Sequence, residues 1–329
     1  VVGAWHDTED LYGPLYTYQA KSQHTQEDHV KLVMGPWYHG QWQSEKGGAE
    51  LGEAQFGFDT SAWFQKDVLL PFFKTHLKGA KEVEIATATM FETGSNRWRK
   101  FDVWPPKAGS QQTMYLAKNE KLVTKKSDTG YSEYISDPNK PVPHSAKISR
   151  GWDRPYMVED QRFAARRPDV LVFETETLES DLTIAGAIDL DLWFSTNKSA
   201  ADIVVKVVDV FPSIDENSNK VDKARGNRHE LVRWGVLRGR FRESMSEPKA
   251  FVPNSPAKIE FELYDLLHTF KRGHKLQIQI QSSMFPFIDM NPQNYVENIF
   301  EAKESDFTKA LHTIYHDKDH QSAIHFKTL

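Results

Sequence analysis

The chain has 329 residues, 39% hydrophobic and 26% charged, which is enough for a sizeable apolar core and for two domains of ordinary size. A formal net charge of -5, with acids and bases interleaved, gives neither the basic stripe of a nucleic-acid binder nor a face for an anionic membrane, so the expected partner is a small-molecule substrate. With no cysteine, disulfides, thiolate metal sites and a cysteine nucleophile are excluded, and no run of about 18 apolar residues is present to span a membrane.

The first elements read as strand, helix, strand. An apolar run, Val1 to Trp5, ends among the acids Asp7, Glu9 and Asp10; a polar, amphipathic segment follows from about Glu9 to Gln23; and His29 to Met34 is a run compatible with a buried strand. A second helix is predicted from Asp59 or Thr60 to Lys78. Asp59, Thr60 and Ser61 supply its N-cap, Phe64, Val68, Phe72 and Leu77 recur at roughly helical spacing, and Gly79 suits its stop, while Pro71 is expected to kink it.

From about residue 86 the pattern changes to short runs divided by turn residues. Strands are predicted at Thr87 to Phe91, Arg97 to Phe101, Asp169 to Glu174, Leu182 to Phe194, Ile203 to Val210, Leu231 to Phe241, Ile259 to Leu263, Lys275 to Gln281 and Ala323 to Phe326. So many strands with almost no helical stretch point to a jelly-roll β-sandwich over 86–329, preceded by an α/β part over 1–85. The polar stretch from Lys125 to Arg150 reads as a long surface connection. A start at Val1 rather than Met, with no leader-like segment, reads as a cut.

Two residues carry the sharpest chemistry. Asp7 follows one apolar run and His39 follows the next, 32 positions later, about one strand-helix-strand unit. In α/β-hydrolases the triad runs nucleophile, acid, histidine, with acid and histidine in loops after late strands of a parallel sheet. The carboxylate would orient the imidazole and stabilise the imidazolium formed when it takes the nucleophile's proton. Spacing alone equally allows Asp7 to cap an acidic first helical turn, with Glu9 and Asp10 favoured by the helix dipole and His39 a loop residue.

The segments WHDTEDLYG (5–13) and GPWYHG (35–40) resemble the acid and histidine segments of the α-amino-acid ester hydrolases. These belong to a wider group of serine hydrolases that includes cocaine esterase, glutaryl-7-aminocephalosporanic acid acylase-like proteins and X-Pro dipeptidyl peptidases. The similarity continues through DVLLPFF (67–73), EDQR (159–162), RPDVL (167–171), LRGRFRES (237–244) and FKRGH (270–274), nearly the whole chain. It implies an α/β-hydrolase portion followed by a jelly roll, with Asp7 as triad acid and His39 as triad base. It also implies that Glu9 and Asp10 are members of a carboxylate cluster that receives the substrate's α-ammonium, with no cofactor and no metal. Two anions near an ammonium select it over a neutral acyl chain, more strongly in a partly desolvated cleft. Relatives of this kind are often exported and self-associate, which suggests a periplasmic or secreted homo-oligomer.

No G-x-S-x-G-like elbow occurs in these residues. Ser44 and Ser61 lie after the acid or in a helix cap, so the resemblance puts the nucleophilic serine, the oxyanion-hole tyrosine, a third carboxylate and a helical cap upstream of Val1. The expected function is hydrolysis of α-amino acid esters or amides, β-lactam acyl chains included, with the fragment alone inactive. X-Pro dipeptidyl peptidase-like or cocaine esterase-like specificity is the enzyme alternative, and a β-sandwich binding or assembly module the other.

Weaker candidates remain. Asp215 to Lys220 begins like a calcium loop, but Lys220 stands where glycine is needed and Gly226 where a bidentate glutamate is needed, so a hairpin turn is expected. His316 and His320 have i, i+4 spacing without an evident third ligand. Trp5, Tyr12, Trp37 and Tyr38 could wall an acyl pocket or pack in the core, and Arg166, Arg167 and Arg238 to Arg242 are expected to pair with acids at a domain interface.

Overall fold

A computed structural model describes residues 1–24, 30–44, 47–81, 84–126, 130–149, 153–214 and 225–329. Its strand β1 (Val2–Ala4) pairs in parallel with β2 (Leu32–Gly35), and helix α1 (Tyr12–His24) runs between them. Strand β5 (Ala88–Glu92) continues the parallel set beside β2, and β6 (Arg97–Phe101) closes it antiparallel, giving the order β1-β2-β5-β6. The hairpin of β5 and β6, which periodicity assigned to the second part of the chain, thus hydrogen-bonds into the first sheet and carries it to residue 101. All five residues of β5 are buried, and the parallel register of Leu32 with Ala88 reveals the attachment.

Between β2 and β5 lie the short hairpin β3 (Glu50–Leu51) and β4 (Ala54–Gln55), then helices α2 (Thr60–Phe64) and α3 (Leu70–Lys78) joined by a π-helical turn, Gln65–Leu69. Asp59 caps α2 by accepting from the backbone N–H of Ser61 (3.1 Å) and Ala62 (3.0 Å). Just before Pro71 the helix widens, where the N–H of Leu70 reaches the carbonyl of Gln65. Proline has no N–H and its ring crowds the carbonyl four residues back, and the wider turn relieves that crowding. Gly79, at φ 61°, ends α3.

The rest is sheet with few helices. After β7 (Ser110–Ala117), β8 (Lys121–Val123) and β9 (Tyr131–Ser136) comes a 3-10 turn, Arg154–Val158, then the short α4 (Arg162–Ala165). Strands β10 (Leu171–Glu174), β11 (Leu182–Thr196), β12 (Asp202–Val210), β13 (His229–Arg238), β14 (Ala257–Phe270), β15 (Lys275–Gln281), β16 (Ala310–Tyr315) and β17 (Ala323–Thr328) follow. They pair in the order β13-β12-β15-β10-β8-β7-β17-β11-β16-β9, with β14 branching from β11. Alternate residues of β11, β12, β14, β15 and β17, among them Ile188, Phe194, Val205, Leu263, Ile280 and Phe326, meet in one apolar core and are at most 1% exposed. Strand β9 lies inside the stretch expected to be a surface connection, and β7, β8 and β16 were not anticipated. The calcium-like segment from Asp215 to Lys220 lies outside the described residues.

The two sheets meet where β5 ends. The N–H of Thr93 donates to the carbonyl of Leu267 (3.0 Å), and the N–H of Thr269 to that of Thr93 (2.9 Å), so main chain crosses the seam. Buried Glu92 accepts from Thr269 Oγ1 (2.9 Å) and Arg99 Nη1 (2.7 Å) beside that junction. Because Asp59 satisfies two otherwise orphaned N–H groups, Asp59→Ala is expected to destabilise the fold by about 1 kcal/mol in urea unfolding, with an unchanged m-value; a loss below ~0.3 kcal/mol would show that the cap is dispensable.

Candidate functional site

The parallel ladder does not stop at Ala4. The N–H of Trp5 donates to Gly35 O (2.8 Å) and that of His6 to Trp37 O (3.1 Å), so the chain leaving β1 and the chain leaving β2 run side by side at one edge of the sheet. Asp7 and His39 emerge there together. His39 Nδ1 lies 2.9 Å from Asp7 Oδ2, and since an ionised carboxylate only accepts, Nδ1 is the donor. Asp7 Oδ1 accepts from the backbone N–H of Glu9 (2.9 Å) and Asp10 (3.0 Å). The Asp7 side chain is 1% exposed and the imidazole 54%, so a buried anion supports a ring that remains open to a cleft. Such a pair can accept a proton at Nε2 while the carboxylate stabilises the resulting charge.

A cavity of about 280 Å³ adjoins this pair, lined by His6, Thr8, Glu9, Tyr38, Arg154 and Tyr156 together with Asp7 and His39. A second, of about 320 Å³, shares Asp7, Thr8 and Glu9 and extends past Tyr12 to Arg233, Trp234, Glu262 and Tyr264. Thr8 forms the ridge between them, its Oγ1 donating to the hydroxyl of Tyr156 (3.1 Å). Burial pushes the Tyr156 phenol up to about 12, which keeps it neutral.

Of the two acids after Asp7, Glu9 is exposed and lines both cavities. Asp10 lines neither; its Oδ1 lies over the first turn of α1, where a Cβ on Gly13 would come within 2.3 Å of it. The four aromatics divide. Trp5 and Trp37 are buried core residues, Tyr12 is exposed at the second cavity, and Tyr38 lines the first with Arg154 4.5 Å above its ring.

Of the expected interface arginines, Arg166 lines a cavity shared with Gly52 and Glu53, and the other four pair locally. Arg167 binds Asp169, Arg238 binds Asp202, Arg240 binds Tyr295, and Arg242 binds Glu243 and nearby carbonyls, all within the second part of the chain. Cations that reach from the second part of the chain to the first include Arg228, paired with Glu53, and Arg233. Arg233 is 1% exposed, donates from Nη1 to the carbonyl of Trp5 (2.8 Å) and lies 5.9 Å from the Trp5 ring centre. Nothing in the local sequence LVRWGV distinguishes it from a half-exposed strand arginine. His316 is buried in contact with Ser132, and His320 faces Asp317; among the described residues no three histidine or acidic side chains converge as a metal site.

Residues 76–325 match the family described as X-Pro dipeptidyl-peptidase C-terminal non-catalytic domain. Cocaine esterase from Rhodococcus sp. (strain MB1 Bresler) is 26% identical over 311 residues, covering 90% of this chain and 50% of that protein. The crystal structure of an aminopeptidase from a marine sediment archaeon, Thaumarchaeota archaeon, superposes with a TM-score of 0.93 at 34% identity, over 99% of this chain and 54% of that one. An α-amino acid ester hydrolase structure superposes with a TM-score of 0.90 at 37% identity, again over 99% and 54%. The chain therefore spans about half the length of the relatives it matches.

His6, one residue before Asp7, is buried, its Nδ1 without a hydrogen-bond partner among the described residues and its ring stacked on Phe56 at 6.4 Å. Burial, then the charges of Arg233 and His268, push it from 6.5 down to about 3. The unfolded chain therefore takes the proton first, so its contribution to stability is complete above about pH 6.5 and lost as pH falls toward 3. Burial pushes His312 to about 3 as well, adding to the same slope. The urea midpoint is expected to fall between about pH 6.5 and 4, and His6→Gln to make that fall shallower; an unchanged slope would mean that His6 is not buried neutral.

Proposed function

The chain belongs to the X-Pro dipeptidyl-peptidase C-terminal family, and from that membership we propose that it is part of a serine hydrolase acting on α-amino acid esters or amides, β-lactam acyl chains included. In this reading residues 1–85, with the β5–β6 hairpin that completes their sheet, are the carboxyl-side portion of an α/β-hydrolase domain, and the strands from β7 onward are the jelly-roll sandwich expected of 86–329. His39, oriented by Asp7, serves as general base to a serine nucleophile that lies outside these 329 residues, and the reaction runs through an acyl-enzyme. The observation that carries the proposal is the 2.9 Å contact between a buried Asp7 and an accessible His39 at the ends of adjacent parallel strands.

The mechanism follows from the chemistry of that pair. The imidazole takes the serine proton at Nε2 as the hydroxyl attacks the substrate carbonyl, and returns it to the departing alcohol or amine; water then repeats the cycle on the acyl-enzyme. Asp7 keeps Nδ1 protonated and offsets the positive charge that appears on the ring. Glu9 and Asp10 would receive the α-ammonium of the substrate. Of the two, Glu9 has the better access, because it borders the cleft while the carboxylate of Asp10 rests against α1. The names of the relatives agree with ester and amide substrates, since one is an α-amino acid ester hydrolase and another an aminopeptidase.

The test is hydrolysis of phenylglycine methyl ester by the chain within its complete reading frame. Asp7→Asn is expected to lower kcat by about 10²–10⁴ with KM nearly unchanged, because the asparagine favours the wrong tautomer. Glu9→Gln is expected to raise KM for the ammonium-bearing ester more than for its neutral phenylacetyl counterpart, and Asp10→Asn to do so less. Activity that survives Asp7→Asn intact would sink the triad assignment, and unchanged KM in both acid variants would remove the ammonium site.

A further inference from the structure

The family matched by residues 76–325 is described as non-catalytic, yet two side chains from that span grip the Asp7 turn on either side of the carboxylate. Two residues before Asp7, the carbonyl of Trp5 accepts from Arg233 Nη1 (2.8 Å), and the guanidinium also faces the Trp5 ring. One residue after Asp7, Thr8 Oγ1 donates to the Tyr156 hydroxyl (3.1 Å) and lies 3.5 Å from the sulfur of Met157. Both gripping residues are buried, Arg233 at 1% and Tyr156 at 3% exposure.

We infer that Arg233 and Tyr156 are positioning residues, holding the Asp7 turn from outside its own sheet so that the carboxylate faces His39 Nδ1. This rests on the reading of Asp7 and His39 as a catalytic pair. The need for outside support is visible in the local chain. Strand β1 has only three residues, and the turn that follows is held from its own side by the ladder bonds of Trp5 and His6 and by the Asp7 carboxylate itself. A short carboxylate has little reach, so a backbone shift of about 1 Å at this turn is enough to break a 2.9 Å hydrogen bond to an exposed ring that has few other restraints.

The arginine is suited to this task for a second reason. Among the described residues its Nε has no hydrogen-bond partner and no carboxylate forms an ion pair with it; buried Asp265 attracts it only through space, and the hydrogen bond it makes goes to main chain. A buried guanidinium that donates to the Trp5 carbonyl anchors the main chain two residues before Asp7.

The tautomer of His39 in the protein of the complete reading frame reads this directly, without any substrate. At about pH 9, above the ordinary imidazole range, long-range ¹H–¹⁵N spectra of the parent chain should show the Nδ1–H form predominating. Arg233→Met is expected to transfer population to the Nε2–H form, Arg233→Lys to restore part of it by keeping a cationic donor, and Tyr156→Phe, which keeps the ring and loses only the hydroxyl, to shift it less and in the same direction. If Arg233→Met does not fold, Arg233→Lys and Tyr156→Phe decide the matter by their own shifts. Variants that fold and keep the parent tautomer ratio would overturn the proposal. In the complete reading frame the same variants should lower kcat with little change in KM; tautomer shifts in a protein that hydrolyses no ester would refute the hydrolase reading and leave the positioning role standing.

Discussion

In a parallel strand pair both chains deliver their carboxyl ends to the same edge of the sheet, and here the register of Val2 with Val33, Gly3 with Met34 and Ala4 with Gly35 sets how far each chain has run when it leaves. Two more main-chain bonds, from Trp5 and His6, carry that register past the end of β1. The next residue on one side is Asp7, and two beyond Trp37 on the other is His39. Had the register slipped by one position, the side chain of residue 7 would point to the opposite face of the sheet. The register is protected by burial, since Ala4, Leu32, Met34 and Trp37 are all fully enclosed.

A three-residue strand cannot by itself hold such an edge, and the polar seam between the two sheets contributes the rest. Glu92, wholly buried, meets Arg97, Arg99, Ser95 and Thr269. A short distance along the seam, His268 bridges Thr93 and Asp209, while Asp209 also binds His274 at 2.7 Å. Burying charged groups costs several kcal/mol for each one left without a partner, so a seam built this way is favourable in one relative placement and poor in neighbouring ones. An apolar seam would tolerate sliding; this one restricts it. That restriction lets side chains of β13 and of the turn at Arg154–Val158 reach residues 5 and 8 from across the boundary.

How much of this is legible in the sequence differs by element, and the reasons are physical. Runs such as DIVVKVVDV at 202–210 announce themselves because both faces of the strand are buried. Strand β7, SQQTMYLA, does not, because its first three residues are exposed and its pattern resembles a polar connection. Strand β9 alternates exposed and enclosed positions, but Ser132 and Ser136 are on its inner face while Tyr131 and Ile135 are on its outer one, so its period is hidden. The helix from Asp59 to Lys78 was readable through its cap and stop, whereas the π-helical turn before Pro71 depends on how neighbouring turns absorb the missing N–H. Asp7, Glu9, Asp10 and His39 could be singled out because their spacing and the resemblance coincide. Arg233 could not, since its partner is a carbonyl 228 residues away and main-chain acceptors leave no trace in residue identity.

The same contrast clarifies the two readings that spacing left open for Asp7. Helix α1 begins only at Tyr12, with no acid in its first turn, so Asp7 closes a turn ahead of the helix instead of capping it; its two carboxylate oxygens then divide the work. Oδ1 takes the N–H groups of Glu9 and Asp10, and Oδ2 takes His39. The bonds to Oδ1 fix the carboxylate plane, and with that plane fixed Oδ2 has little freedom to turn away from the imidazole. Closing the turn is therefore a condition for the orienting role, because a carboxylate without backbone donors would rotate about its own χ angles and average its contact with an exposed ring. This also accounts for Asp10 lying over Gly13 while Glu9 borders the cleft. Once both N–H groups turn toward Oδ1, the turn is tight enough that consecutive side chains leave in different directions, one onto the start of α1 and the other into the space in front of His39.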